Sequence, residues 1–210
     1  MSADSITVNG TTYPVDVLVW STGYGSPLTE SLAGKAEMAV IGKDGQDMEE
    51  LNKTMDLKTL HGCANHGFPN LFTTPLGQAG VGVNQVQRLD EQCIHIGYII
   101  VEAERRAASG GAGSSSTGAQ SKVVIQPTEQ ACDKWGDEVA SAAHLTAAML
   151  QCTPGYFTFE GDAVNLPAEA MPKMARVGLY GQGYLKYART LGEWRKEGQL
   201  EGLNVASAAA

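Results

Sequence analysis

A stretch of helical periodicity from about Asn84 to Ala107 constrains this chain more than any other feature. Val86, Leu89, Cys93, Ile96, Ile100 and Ala103 recur at alternating spacings of three and four, which places them on one face of a helix. Arg88, Glu91, His95, Glu102 and Arg105 fall on the opposite face, read as a solvated or interface surface. Two further helices carry the same spacing. One starts near Thr128, an N-cap residue with Glu129 in the first turn, and has the seam Cys132, Trp135, Val139 and Ala142 or Ala143. The other runs from about Gly183 to Glu197 through Tyr184, Tyr187, Leu191 and Trp194, and these aromatic stripes read as core.

Strand signals cluster before the long helix. Thr7 to Tyr13 reads as a hairpin around Asn9-Gly10. Asp16-Val17-Leu18-Val19-Trp20 is apolar at four of five positions without alternation, the pattern of a strand covered on both faces in a parallel sheet. Thr22-Gly23 then lets the backbone leave the sheet where a β-carbon would obstruct it. Met38–Gly42, Leu57–Cys63 and Leu71–Thr74 read as short strands, Lys43-Asp44-Gly45 as a turn, and residues 25–34 as a loop. Residues 108–122 are Gly, Ser, Ala and Thr with almost no apolar bulk, a flexible linker or loop.

With 210 residues the chain can bury a sizeable core as one domain or two small ones. A formal charge of −8 and no Lys/Arg run argue against a nucleic-acid surface. No apolar stretch is long enough for a membrane span, and no basic and apolar leader precedes the fold, so a cytoplasmic location is expected. Cys63, Cys93, Cys132 and Cys152 form no CxxC or zinc spacing and read as reduced packing residues. His61, His66, His95 and His144 are scattered, with no second ligand four residues from His95.

The segment Gly77-Gln78-Ala79-Gly80-Val81-Gly82-Val83-Asn84 is neither GxGxxG nor a P-loop. It is a loop-to-helix junction whose free N–H groups favour a negative or electron-rich partner, or else a helix start where Gly permits tight packing. Glu160 and Asp162 sit in a Gly-rich loop and read as solvated carboxylates.

Taken in order, Thr22-Gly23-Tyr24, Gly67-Phe68-Pro69-Asn70-Leu71-Phe72, the 77–84 segment, Cys152-Thr153-Pro154-Gly155-Tyr156-Phe157, Glu160-Gly161 and Tyr180-Gly181-Gln182-Gly183 form a longer pattern. From about Val8 to Val205, low-complexity insert aside, it resembles the C-terminal part of Baeyer–Villiger monooxygenases of the flavin-containing monooxygenase superfamily. The resemblance implies an α/β chain with a partial two-dinucleotide-binding-domain flavoprotein fold. Residues 1–107 would be the C-terminal part of the FAD domain, and 123–210 a helical C-terminal segment packing on it. It implies FAD as cofactor, NADPH as co-substrate and a ketone as substrate, converted to an ester or lactone. Thr22 and Gly23 would lie near the cofactor, and Gln78, Val83 and Asn84 would line the pyrimidine edge of the flavin. Tyr156, Phe157 and Tyr180 would wall the substrate pocket. No catalytic residue is assigned.

The family's two GxGxxG fingerprints and its Phe-x-Gly-x-x-x-His-x-x-x-Trp signature do not occur in the sequence. The chain therefore reads as part of such an enzyme, inactive without an N-terminal half that a separate polypeptide could supply. The alternative is a non-catalytic remnant or accessory protein that binds a partner or an apolar metabolite. A central strand at 16–20 expects neighbours on both sides and cover on both faces, much of it from the missing half, and four or five uncovered apolar side chains would forfeit roughly 1.5–3 kcal/mol each. The isolated chain is expected to be marginal or adhesive.

Overall fold

The computed structural model describes residues 4–21, 31–110, 122–145, 147–155, 158, 161 and 166–207. Strands β1 (Ser5–Val8) and β2 (Thr11–Pro14) pair antiparallel with Val8 opposite Thr11. The turn residues Asn9 and Gly10 have φ of 49° and 80°, the left-handed pair that matches the twist of a two-residue hairpin.

The expected strand at 16–20 does not form. A central strand takes its hydrogen bonds from neighbours, and no described strand lies beside this one, so Val17 is 78% exposed and Trp20 68%. For the same reason Met38–Gly42 and Leu71–Thr74 shrink to single bridges, Ile41 with Asp47 and Phe72 with Ala64. Within 31–47, α1 (Leu32–Lys35) occupies part of the expected loop, while Lys43–Gly45 is the expected tight turn. Helix α2 (Met48–Lys53), unforeseen from the sequence, is capped by Asp47, which accepts from the Glu49 amide at 2.8 Å. Of the expected strand 57–63, only β3 (Thr59–Leu60) forms, paired with β4 (Ala64–Asn65) across a turn in which His61 and Gly62 have positive φ.

Helix α3 (Gln85–Gly110) stands where the periodicity put it. β5 (Val123–Pro127) follows, with no sequence signal noted for it, and pairs antiparallel with β6 (Leu203–Ser207). Helix α4 (Glu129–Ser141) has the expected Thr128 cap, whose Oγ1 accepts from the Ala131 amide at 3.2 Å. Helix α5 (Met171–Val177) packs on α4, and α6 (Gly183–Glu197) has the predicted bounds.

One core joins both sides of the low-complexity segment. Leu60, Ala64 and Ala79 meet Cys132, Trp135, Val139, Tyr180, Tyr187 and Leu191. Trp135 stacks on Tyr180 with ring centroids 5.2 Å apart and planes 3° from parallel. A smaller cluster of Ile99, Ala103, Ile125 and Leu200 ties α3 to the β5–β6 ribbon.

The burial of α3 departs from the expectation over most of its length, although Ala103 of the expected seam is buried and Arg105 of the expected wet face is exposed, as read. Arg88, Gln92 and His95, placed on or beside the wet face by sequence, are buried, and only Ile99 and Ala103 continue that face as apolar residues. The predicted seam is largely open: Val86 is 74% exposed, with Leu89, Cys93 and Ile100 also exposed, while Ile96 is half-buried. Ile94 and Val101 extend the exposed apolar surface, and a β-carbon at Gly97 would meet nothing within 4 Å. The reason is what each face meets. The polar face lies against the β3–β4 turn and α6, and the described residues supply no cover for the apolar one. An exposed apolar face of this size marks a surface for another body.

Replacing Val86, Ile94 and Val101 together by Lys should therefore leave the thermal midpoint nearly unchanged, because each exposed site contributes within about 0.5 kcal/mol. The parent chain is expected to self-associate through this face in light scattering, and the same variant to stay monodisperse.

Candidate functional site

The Gly-rich loop and the start of α6 build a groove of about 360 Å³, lined by Val81, Gly82, Val83, Asn84, Gln87, Gln182, Gly183, Tyr184 and Leu185. Two backbone bonds hold its walls together: the Tyr180 amide donates to the Ala79 carbonyl at 3.1 Å, and the Tyr184 amide to Val81 at 2.9 Å. Gly80 and Tyr180 form a parallel bridge there. This close approach explains the glycines. A β-carbon at Gly80 would collide with the Tyr187 side chain, and one at Gly82 would lie 3.1 Å from Tyr184 Cβ.

Asn84 caps α3, its Oδ1 accepting from the Gln87 amide at 3.1 Å. Helix α6 begins at the same groove with no side-chain cap. Two helix starts thus open on one space, each with the positive end of its dipole, although the Gly183 and Tyr184 amides of α6 already donate to the Tyr180 and Val81 carbonyls.

The residues expected to line a cofactor edge separate here. Val83 is fully exposed and Asn84 is exposed, both on the groove. Gln78 is buried behind it at φ 58°. Its Nε2 donates to the Arg176 carbonyl at 2.7 Å, its Oε1 accepts from the Thr59 hydroxyl, and its amide donates to Gly178 at 2.6 Å. Gln78 braces the loop against the segment after α5, with both ends of its side chain engaged. Tyr180 is fully buried against Trp135, and its hydroxyl donates to Glu138 at 2.8 Å. Burial, and then that bond, push its phenol above the ordinary value. Thr22, Gly23, Tyr156 and Phe157 lie outside the described residues. Gln182 and Tyr184 are groove residues that the sequence reading did not assign. Their signal was the Tyr180–Gly183 motif running into a helix.

A second cluster lies in the interior. His61 Nδ1 and His95 Nε2 are 3.0 Å apart, and the His61 ring sits edge-on to Trp135 and Trp194 at 5.0 and 5.3 Å. Arg195 approaches His95 Nδ1 at 3.5 Å and pairs with Glu91 at 2.7 Å. No group of three metal-capable side chains occurs among the described residues, so the pair reads as core. Burial first, then Arg195, holds His61 below the usual histidine range; burial, His61 and Arg195 do the same for His95. All four cysteines are free. Cys63 and Cys132 are buried, with burial raising both thiols to about 12, whereas Cys93 and Cys152 are exposed.

Two outcomes follow from these contacts. Both histidines have folded-state values below the unfolded 6.5, so their contribution is complete above that pH and is lost as pH falls beneath it. The unfolding free energy from urea titrations should drop between pH 7 and 5, by up to about 1.4 kcal/mol per pH unit per histidine, and the slope should flatten in His95→Gln. Gly80→Ala should cost about 1–3 kcal/mol by overpacking, since Tyr187 is fully buried and fixed by its 2.8 Å bond to the His61 carbonyl. A lowered denaturation midpoint would register it.

No protein-family model matches the chain. Individual relatives do. The chain is 37% identical over 204 residues to an FAD-binding monooxygenase of Penicillium brasilianum, covering 96% of this chain and 30% of that protein. It is 34% identical over 201 residues to the polycyclic ketone monooxygenase of Thermothelomyces thermophilus, covering 94% and 29%. The solved structure of the polycyclic ketone monooxygenase from that thermophilic fungus superposes with a TM-score of 0.77 over 97% of this chain and 30% of the other. Cyclohexanone monooxygenase from Rhodococcus sp. Phi1, solved bound to NADP+, shares the fold at a TM-score of 0.63 and 22% identity. The chain thus spans about 30% of the length of these relatives, and its mixed helices and strands are part of a flavoprotein monooxygenase fold. Over nearly its whole length the chain thus matches the C-terminal portion of Baeyer–Villiger-type FAD-dependent monooxygenases.

Proposed function

We propose that this chain supplies one flavin edge and part of the pocket roof of a monooxygenase that inserts oxygen next to a ketone, giving an ester or lactone. The observation that carries this reading is the groove where α3 and α6 begin together, with Val83 and Asn84 open to it. Its donor set fits an electron-rich ring edge: helix-start N–H groups, the Asn84 amide, and glycines that bring the backbone to the surface. It fits that edge alone, because the sequence has no GxGxxG turn to seat a pyrophosphate.

FAD, when bound, supplies the redox chemistry, with NADPH as the reductant. The residues of this chain bind, orient and exclude water. In this reading Val83 and Asn84 meet the pyrimidine edge, Gln78 fixes the loop from behind, and Thr22-Gly23 lies near the cofactor. Tyr156 and Phe157 wall the ketone pocket, with Tyr180 holding it from the core side. Residues 1–107 belong to the flavin domain, 108–122 link, and 123–210 lie over it, in a cytoplasmic enzyme. The remainder of such a flavoprotein covers the apolar face of α3 and segment 16–20, and without it the chain is inactive. Relatives more than three times as long fit that occupant. Among the described residues, no helix is long and apolar enough to cross a membrane. The same open face of α3 favours a second reading, an accessory protein that binds a partner without flavin chemistry.

Titration of FAD with the purified chain, alone and co-expressed with the N-terminal 70% of the Thermothelomyces relative, separates the two. Saturable fluorescence quenching at micromolar concentration, at least in the co-expressed complex, is expected. Complex formation with no quenching beyond that of the N-terminal piece alone would favour the accessory reading and sink the flavin one.

A further inference from the structure

Arg88 stands in the first turns of α3 on its buried face and is 6% exposed. Its Nη1 donates to the Pro75 carbonyl at 2.8 Å and to Gln92 Oε1 at 2.5 Å, and its Nε donates to Gln85 Oε1 at 3.1 Å. Gln85 in turn reaches the Gly82 carbonyl at 3.4 Å, and Gln92 reaches Gly62 at 3.4 Å. One guanidinium therefore ties Pro75, where the Gly-rich loop is entered, to Gly82, where it is left, and anchors both to the β3–β4 turn.

Every acceptor of Arg88 is neutral. Arg106, Arg176 and Arg195 each have a carboxylate within ion-pair distance, whereas Arg88 has none among the described residues. Burial without counter-charge is unfavourable. So is a cation near the positive end of a helix. Both occur at the base of the loop whose tip forms the groove. A fixed positive charge placed in that way, against local stability, is the pattern of a site that receives negative charge.

We propose that Arg88 is the positioning residue of this edge. Its guanidinium clamps both stems of loop 75–84 and adds its charge to the start of α3, opposing Asp90 and Glu91, whose negative charge reaches Tyr184 across the groove, so that Val83 and Asn84 present a positive rim to an anionic or electron-rich group. That this group is the flavin ring edge rests on the function proposed above; the clamp and the positive rim do not.

The test places a reporter on the rim. In a chain with Cys93→Ser and Cys152→Ser, Val83→Cys gives one exposed thiol, whose pKa is read from the pH dependence of alkylation. It should lie below the ordinary value of about 8.5. Arg88→Met should raise it by half a unit or more, and Arg88→Lys should keep it low. Amide exchange across 77–84 should quicken about tenfold in Arg88→Met and less in Arg88→Lys. A folded Arg88→Met variant with unchanged thiol pKa and unchanged exchange overturns the proposal. Should Arg88→Met fail to fold, Arg88→Lys decides, and a thiol pKa that rises with the cation retained counts against the charge. FAD titration of the same variants, with the co-expressed partner piece, assigns the ligand. Weaker binding in Arg88→Met by fivefold or more supports the flavin edge. No binding by the parent, with a responsive thiol, overturns the flavin assignment while leaving Arg88's role standing.

Discussion

The polar face of α3 is the element on which the arrangement of this chain depends. Arg88, Gln92 and His95 run along it at spacings of four and three and meet, in turn, the entry of the Gly-rich loop, the β3–β4 turn and His61. Buried polar groups are stable only with partners, so each contact fixes α3 in rotation as well as position. A purely apolar seam would allow the helix to slide or turn at little cost. Hydrogen bonds between Gln92 and Gly62, and between Arg88 and Pro75, permit one rotation. That rotation necessarily directs Val86, Leu89, Cys93 and Ile100 outward. The exposed stripe and the polar interior are therefore one fact, and the stripe is a surface held ready on a specified face.

The same rotation shapes the groove. Because α3 is tied through Arg88 and Gln85 to Gly82, its first turn points into the space that α6 also enters, and Gly80 can press against Tyr187 only because the helix stays in place. Gln78 completes the support from the other side through Thr59 and Arg176. Sites that stabilise charge work by preorganisation, with dipoles fixed before a ligand arrives. Here the fixing is done by side chains that never reach the surface, while Val83 and Asn84 at the tip remain free to touch a ligand.

The sequence was legible wherever structure is set locally. Asn9-Gly10 dictates a hairpin, Thr128 caps α4, and the Cys132–Trp135–Val139 and Tyr187–Leu191 seams are buried as spaced. The Gly-rich junction, too, declared itself, because only glycines admit the approach to Tyr184 and Tyr187. Illegible were features decided by distant chain. Residues 16–20 have strand composition, but a strand exists only beside another. β5 and β6 pair across most of the second half of the sequence. The facing of α3 was misread because periodicity finds faces without saying which one is covered, and the usual rule sends the apolar face inward. The contacts that hold Gln78 and Tyr180 in the interior could not be seen, since a buried amide or phenol is recognised only with its partners.

The misreading of α3 carries the most information about what the chain does. A domain complete in itself has no reason to bury an arginine, a glutamine and a histidine while exposing valine and isoleucine on the same helix, because the two choices cost stability twice. Burying the apolar face as well would remove one of these costs, and α3 would then be an interior helix with polar contacts on one side and apolar contacts on the other. Segment 16–20, apolar and unpaired, makes the same demand of a sheet. In the function proposed above both would be surfaces of a divided core, and relatives that extend over three times this length have chain enough to close it. The groove at the start of α3 would then lie at the seam between the two bodies, the position in which ligand sites most often form.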